Sequence, residues 1–260
     1  MPSALKQLMD HRELLGILVV RNLKIRYKNS TLGFLWTLLG PLFLIVIYKI
    51  FLEILKIDIC IESLVTGILC WQFLATCVGD SLHTILGNAN LVTKTAFPRM
   101  VLPLSTILAN LVNFTLTLFV LFVFLLLIRV EFGPLYWLPL IVLTQCALCL
   151  GIGFLVSSLN VFYRDVEHLM NIVLLAWFFM SPIMYDYVFL AGRGGFIEKW
   201  IGLYFINPMA GIATAYRIVF LSTDFVPVTL LLAPFLLSWG ILFLGYGVFQ
   251  RLQVRFGDEL

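Results

Sequence analysis

Apolar runs of bilayer length alternate with short polar breaks along this chain, and they set its plan. A helix needs ~20 consecutive apolar residues, with a working range of about 17 to 25, to cross a hydrocarbon core. Runs of that length lie at residues 32–52, 63–82, within 100–128, within 137–161, at 169–185 and at 226–250. The pattern predicts an all-α integral membrane protein with six transmembrane helices in one domain, residues 1–260. Residues 1–31 form a cytoplasmic interface segment, 32–250 the six-span bundle and 251–260 a short tail.

The polar breaks are unequal. Arg21, Lys24, Arg26 and Lys28 place four cations in eight positions, and residues 29–48 then carry no charge. At 3.6 residues per turn Arg21, Lys24 and Lys28 share one helix face, while Val19, Val20, Leu23 and Tyr27 share the opposite one. This is the pattern of an amphipathic helix lying in the headgroup layer, basic side toward anionic lipid. The same cations also act as a topology signal that holds the amino terminus in the cytoplasm.

The break at residues 87–103 is polar (Gly87, Asn88, Asn90, Thr93, Lys94, Thr95), and Pro98 and Pro103 bracket Arg99. Each proline disfavours helix in the residue before it. A short helix is therefore expected to stop near Phe97 and a new one to start at Pro98 or Pro103, making a rigid element on the inner face. The break NVFYRDVEHL gathers Arg164, Asp165, Glu167 and His168. Arg164 and Asp165 are expected to pair with neighbouring helices, whereas Glu167 and His168 read as solvated. The longest outer segment, residues 186–224, carries Glu198, Lys199 and Arg217 and is broken at Asn207-Pro208. Spanning with such charges costs about +2.5 to +3.5 kcal/mol each. Two short re-entrant helices at 196–221, hinged at Asn207-Pro208, fit better, and backbone at that depth must lie against protein or water.

Composition agrees with the pattern. The chain is 62% apolar and 12% charged, about half the charge a soluble domain needs to cover its surface. The first apolar run is preceded by a cluster of cations and closed by no small-residue cleavage site, which argues against a signal peptide. Eleven Lys and Arg fall in the segments read as cytoplasmic and six in those read as outer, so both termini are placed in the cytoplasm. A net charge of +3 gives no reason to expect nucleic acid. Five cysteines include Cys146 and Cys149 at C-x-x-C spacing, but within an apolar run they read as small interior residues.

Catalytic chemistry is sparse. The sequence contains no GxxxxGK[ST], HExxH or GxSxG motif and no paired metal cluster. No catalytic residue, metal or bound cofactor is expected. Asp80 alone among the acids is placed to face an interior, which makes it a pathway candidate. Aromatics are more informative. Trp36, Trp71, Phe73, Trp177, Phe178, Phe179 and Tyr185 sit within or at the ends of spans, where flat faces with a polar edge can carry sugar rings without gripping any one group. Core packing is the competing reading for most of them. Gly40, Gly151, Gly153, Gly240 and Gly245 are candidates for close helix contacts.

Taken in order, RNLKIRYKNSTLGFLWTLLGPL, LVTKTAFPRMVLPL, NVFYRDVEHL with FFMSPIMY, and INPMAGIATAYR resemble the membrane subunit of bacterial polysaccharide-exporting ATP-binding-cassette transporters of the type-2 permease family. The resemblance covers nearly the whole chain. It implies a homodimer of six-span subunits in the inner membrane, joined by two copies of a separate ATPase subunit that uses ATP and Mg. It implies a cytoplasmic coupling helix at 88–99, with Asn88, Lys94, Pro98 and Arg99 engaging the ATPase. It also implies an interface helix at 14–28 whose Arg21, Lys24 and Lys28 meet lipid headgroups, and an outer gate around Asn207 and Pro208. The cargo would be a lipid-linked polysaccharide of O-antigen or capsule type. Export of teichoic acid, or of a small lipid or drug, is the alternative within transport. A membrane-embedded sugar-lipid transferase is the alternative outside it, and too few acid–base residues support that reading.

Overall fold

The computed structural model describes residues 6, 8–28, 30, 35–55, 60–184, 205–222 and 228–260, and among them all regular structure is helical. We label the helices α1 Arg12–Tyr27, α2 Leu35–Leu55, α3 Ile61–Thr84, α4 Ala89–Lys94, α5 Val101–Leu127, α6 Leu138–Phe162, α7 Asp165–Met180, α8 Pro208–Leu221, α9 Val228–Leu252 and α10 Phe256–Glu259. Four stretches among the described residues are long and apolar enough to cross a membrane: Ile61–Thr84, Val101–Leu127, Leu135–Phe162 and Leu231–Glu259. Helices α2 and α7 lie where the first and fifth spans were expected. The 16 residues of α7 rise only about 24 Å, against a core of roughly 30 Å.

Several boundaries follow from local chemistry. Helix α7 ends at Met180 rather than near residue 185, because Pro182 forces Ser181 into extended backbone (φ −106°, ψ 150°). The short inner helix α4 stops at Lys94, three residues before Phe97, with Thr95 extended. Pro103 is accommodated in the first turn of α5, where a backbone N–H has no intrahelical partner to lose. Asn207 is the N-cap of α8: its Oδ1 accepts from the backbone N–H of Met209, and Pro208 follows at the first helical position. The first of the two expected outer helices, and Tyr185, lie outside the described residues.

Helices α3 and α6 are central, and 72% and 67% of their most apolar windows are buried, whereas only 17% of the α9 window is. Small residues allow the closest approach, between α6 and α9. A Cβ on Gly245 would stand 2.0 Å from the Gly151 carbonyl oxygen, and one on Gly151 would stand 2.6 Å from Ile241 backbone. Of the small residues singled out in the sequence, Gly151, Gly153 and Gly245 make such contacts, while Gly40 and Gly240 have nothing within 4 Å.

The core has two parts. The larger joins α2, α3, α5, α6 and α8 through residues such as Leu74, Leu121, Leu148 and Tyr216. The smaller lies on the side that the charge pattern reads as inner, where Leu18, Val92, Met100, Phe154, Phe249 and Phe256 pack together. In it the amino-terminal helix, the inner loop and the carboxyl-terminal tail share one hydrophobic centre.

Candidate functional site: an inner platform and a polar cleft

The inner platform is built from three segments distant in sequence. Helix α1 is anchored by Leu18, which is 4% exposed. Its hydrogen bonds reach the bundle at four heights. Arg21 donates to Asn88 Oδ1 (2.7 Å), Asn22 to Ser105 Oγ (3.3 Å), and the Tyr27 hydroxyl to Asn113 Oδ1 (2.9 Å). Arg26 forms an ion pair with Asp80, whose other contact is Asn110 Nδ2 at 2.9 Å. Arg21, Lys24 and Lys28 are all exposed, along an open groove that also includes Glu13. Of these three cations Arg21 therefore also tethers α1 to the inner loop. Asn88, whose Nδ2 donates to the Thr84 carbonyl (2.8 Å), is the bridge rather than a free end of that loop.

Within the loop, Thr93, Lys94, Thr95 and Ala96 are exposed and Pro98 is half-buried. The Arg99 guanidinium turns inward. It donates to the Gln253 carbonyl and lies 5.9 Å over the Phe256 ring. Phe256 is fully buried, 5.6 Å from Phe249 and 6.1 Å from Phe162 between ring centroids. The tail thus clamps the inner loop. Sequence reasoning treated residues 251–260 as a short tail, although Phe256 among its charged residues was a visible signal.

Among the described residues, Arg164 and Asp165 form no ion pair with a neighbouring helix, and both side chains are exposed. Asp165 opens α7, where a carboxylate complements the positive helix end. Instead Glu167, read as solvated, comes within 3.6 Å of His83 Nε2 on α3.

The expected channel aromatics fall into different surroundings. Trp71 (8% exposed) packs edge-on to Trp177 (5.9 Å) and Phe178 (5.6 Å), and Phe73 (5% exposed) stacks on Phe114 at 4.3 Å. Those four serve packing in this subunit. Trp36 and Phe179 are exposed. Asn207 ties the carboxyl-terminal end of α7 to the start of α8. Its Oδ1 also accepts from Trp177 Nε1 (2.7 Å), and its Nδ2 donates to Ser181 Oγ (2.8 Å).

Below Trp36 a cleft of about 240 Å³ opens between α1, α2, α3 and α5. Polar side chains share its lining with Leu69, Phe73 and Phe114, although α3 and α5 are spanning helices. Gln72 and Thr76 come from α3, Asn110, Asn113 and Thr117 from α5, and Arg26 and Tyr27 from α1, with Trp36, Gly40 and Pro41 on the α2 side. With Asp80, the α3 residues recur at i, i+4 and i+8, and the α5 residues at i, i+3 and i+7, so each set occupies one helix face. The Asp80–Asn110 bond sets these faces against each other. This polar periodicity was present in the sequence, and only Asp80 was picked out of it.

Arg217, counted in the sequence as an outer-loop cation, is 3% exposed inside the bundle. It donates to the backbone carbonyls of Ser63 (3.2 Å), Pro182 and Ile183 (2.8 Å), joining α3, the turn after α7, and α8. Gly67 makes room for it: a Cβ there would stand 2.6 Å from Arg217 Nη2.

Residues 13–221 match the model of the ABC-2 type transporter family. The chain is similar to two proteins named O-antigen export system permease protein RfbA from Klebsiella pneumoniae, at 30% and 31% identity, each comparison covering 95% of both chains. A protein of the same name from Myxococcus xanthus is 29% identical over 98% of both chains.

Proposed function

The chain belongs to the ABC-2 type transporter family, and we propose that it is the channel-forming permease of an ATP-driven polysaccharide exporter. In this family the permease is the membrane subunit, and ATP is hydrolysed by a separate nucleotide-binding subunit. The cargo in this reading is a lipid-linked polysaccharide of the O-antigen or capsule type, moved from cytoplasm to periplasm. The observation that carries it is the near-full-length similarity to three proteins named as O-antigen export permeases.

In the working complex two copies of this chain, each with six spans and both ends in the cytoplasm, enclose the path across the inner membrane. Two ATPase subunits, which bind ATP and Mg, sit below. The exposed part of the inner loop, Thr93 to Ala96, is the contact that receives their movement. Because α4 shares a core with Leu18 of α1 and Phe256 of the tail, a push on the loop moves all three together. Interiors close-packed in this way transmit displacement rather than absorb it. Arg21, Lys24 and Lys28 offer charge-assisted bonds to the phosphates of the lipid carrier. Trp36 and Phe179, with rings open to the surroundings, are the aromatics left to meet the glycan.

Deleting the chain in its host is the direct test. Surface polysaccharide should disappear while lipid-linked polymer accumulates inside, and a plasmid copy should restore export. A surface polymer unchanged by the deletion would exclude the reading.

A further inference from the structure

We infer that the cleft between α1, α2, α3 and α5 is a binding site for a hydroxyl-bearing sugar ring. The inference rests on the export reading above and deepens it by assigning the cargo's sugar to particular residues. Three observations meet there.

Gln72 is the twelfth of the 24 residues of α3, at the middle of a spanning helix. It is exposed, and the described residues supply no hydrogen bond to its carboxamide. A polar group at that depth faces an aqueous or ligand-filled space rather than lipid.

Two further polar atoms are spare. Asn113 gives its Oδ1 to Tyr27, leaving Nδ2 without a partner, and Asn110 gives its Nδ2 to Asp80, leaving Oδ1 without one. Both residues are at least nine-tenths buried. One spare donor and one spare acceptor, a turn apart on α5, match a hydroxyl, which both donates and accepts. A phosphate, which only accepts, would leave Asn110 Oδ1 unmet.

The cleft also has one open aromatic face. Trp36 is half-exposed beside it, while Phe73 and Phe114, stacked on each other, close its floor. Polar edges with aromatic faces are the combination that holds a sugar ring. At about 240 Å³ the space exceeds that of a lone water. The spare atoms are closed to solvent in this structure. The groups beside them, Tyr27 and the Arg26–Asp80 pair, belong to or are held by α1, so a shift of α1 is what opens them. From Asp80 to Gln72 the track runs about 12 Å along α3.

The test uses the purified permease–ATPase complex carrying Gln72→Cys in a Cys60→Ser background, where the remaining cysteines are buried. Phe119→Cys, at an exposed apolar position on α5, is the lipid-facing control. A water-soluble maleimide should modify the Gln72→Cys protein at least ten-fold faster than the control. A lipid-diphosphate-linked oligosaccharide should slow that reaction about five-fold, while the same lipid diphosphate without sugar should not. Adding Asn113→Leu should abolish the protection by the oligosaccharide. Labelling no faster than the control, or equal protection by both lipids, overturns the site. These rates are read on the complex itself, so they separate failure of the cleft from failure of the export reading, which the deletion strain reports.

Discussion

Two polar clusters lie inside this apolar chain, and they are built on opposite terms. Around α8, Arg217 is capped by three backbone carbonyls, Tyr216 donates to Gln145 Oε1 at 2.8 Å, and Gln145 donates to the Cys70 carbonyl at 2.8 Å. Each of these side chains is nearly or wholly buried, with its bonds made inside the subunit. Around the cleft, the Arg26 and Asp80 side chains stay 34% and 40% exposed, Gln72 has no partner among the described residues, and two asparagine atoms are orphaned. The first cluster is complete and serves the fold. The second is incomplete among the described residues, which is what the proposed sugar site uses. Polarity within a span is therefore informative only together with whether it is satisfied.

The contrast breaks most easily at Arg217. Arg217→Ala strands buried carbonyls at roughly 1–3 kcal/mol each, so stability in detergent should fall by about 3 kcal/mol, read as a large drop in the thermal midpoint. Arg217→Lys should recover only part, because an ammonium lacks the planar fork that reaches three acceptors. Tyr216→Phe removes one bond from the same cluster and should cost about 1–2 kcal/mol, with export retained in whatever protein folds.

The inner side predicts the reverse balance. Arg26→Ala breaks a half-exposed ion pair worth about 0–1 kcal/mol, so the thermal midpoint should barely move while polymer export falls. Equal losses of stability and export at Arg26 would erase the distinction between the clusters. Arg99→Glu should free the tail from the inner loop. Membrane insertion should remain intact, ATP hydrolysis should continue, and surface polymer should be lost. Normal surface polymer in that variant would remove the clamp from the mechanism. The smallest stability effect is expected at Lys94→Ala, on an exposed position at the end of α4, where only the response of ATP hydrolysis to the cargo should change.

Much of this plan was legible in hydropathy. Apolar runs and helix-breaking prolines placed α3, α5 and α6 closely, because burial in lipid leaves helix as the satisfying backbone state. Asn207-Pro208 was legible as a break, since that pair carries both an N-cap and a first-turn residue. Arg217 was misplaced for a physical reason: insertion costs assume an unpaired charge, and three carbonyl acceptors cancel most of that cost. The aromatics were less legible. Trp71, Trp177 and Phe178 show the same ring pattern as Trp36, and only tertiary packing separates a ring that fills a core from one that faces a passage. The tail clamp depends on Gln253 and Phe256 meeting Arg99, contacts across 154 and 157 residues that no local pattern encodes.

The proposed function divides the labour, with the passage in this chain and the ATP hydrolysis in its partner. Proteoliposomes holding the chain alone and the chain with its nucleotide-binding subunit, both loaded with lipid-linked polysaccharide, test it most directly. Delivery of polymer across the bilayer should require the second subunit and ATP, and the chain alone should hydrolyse no nucleotide. ATP hydrolysis by the chain alone, or delivery that is indifferent to the partner, would contradict the account.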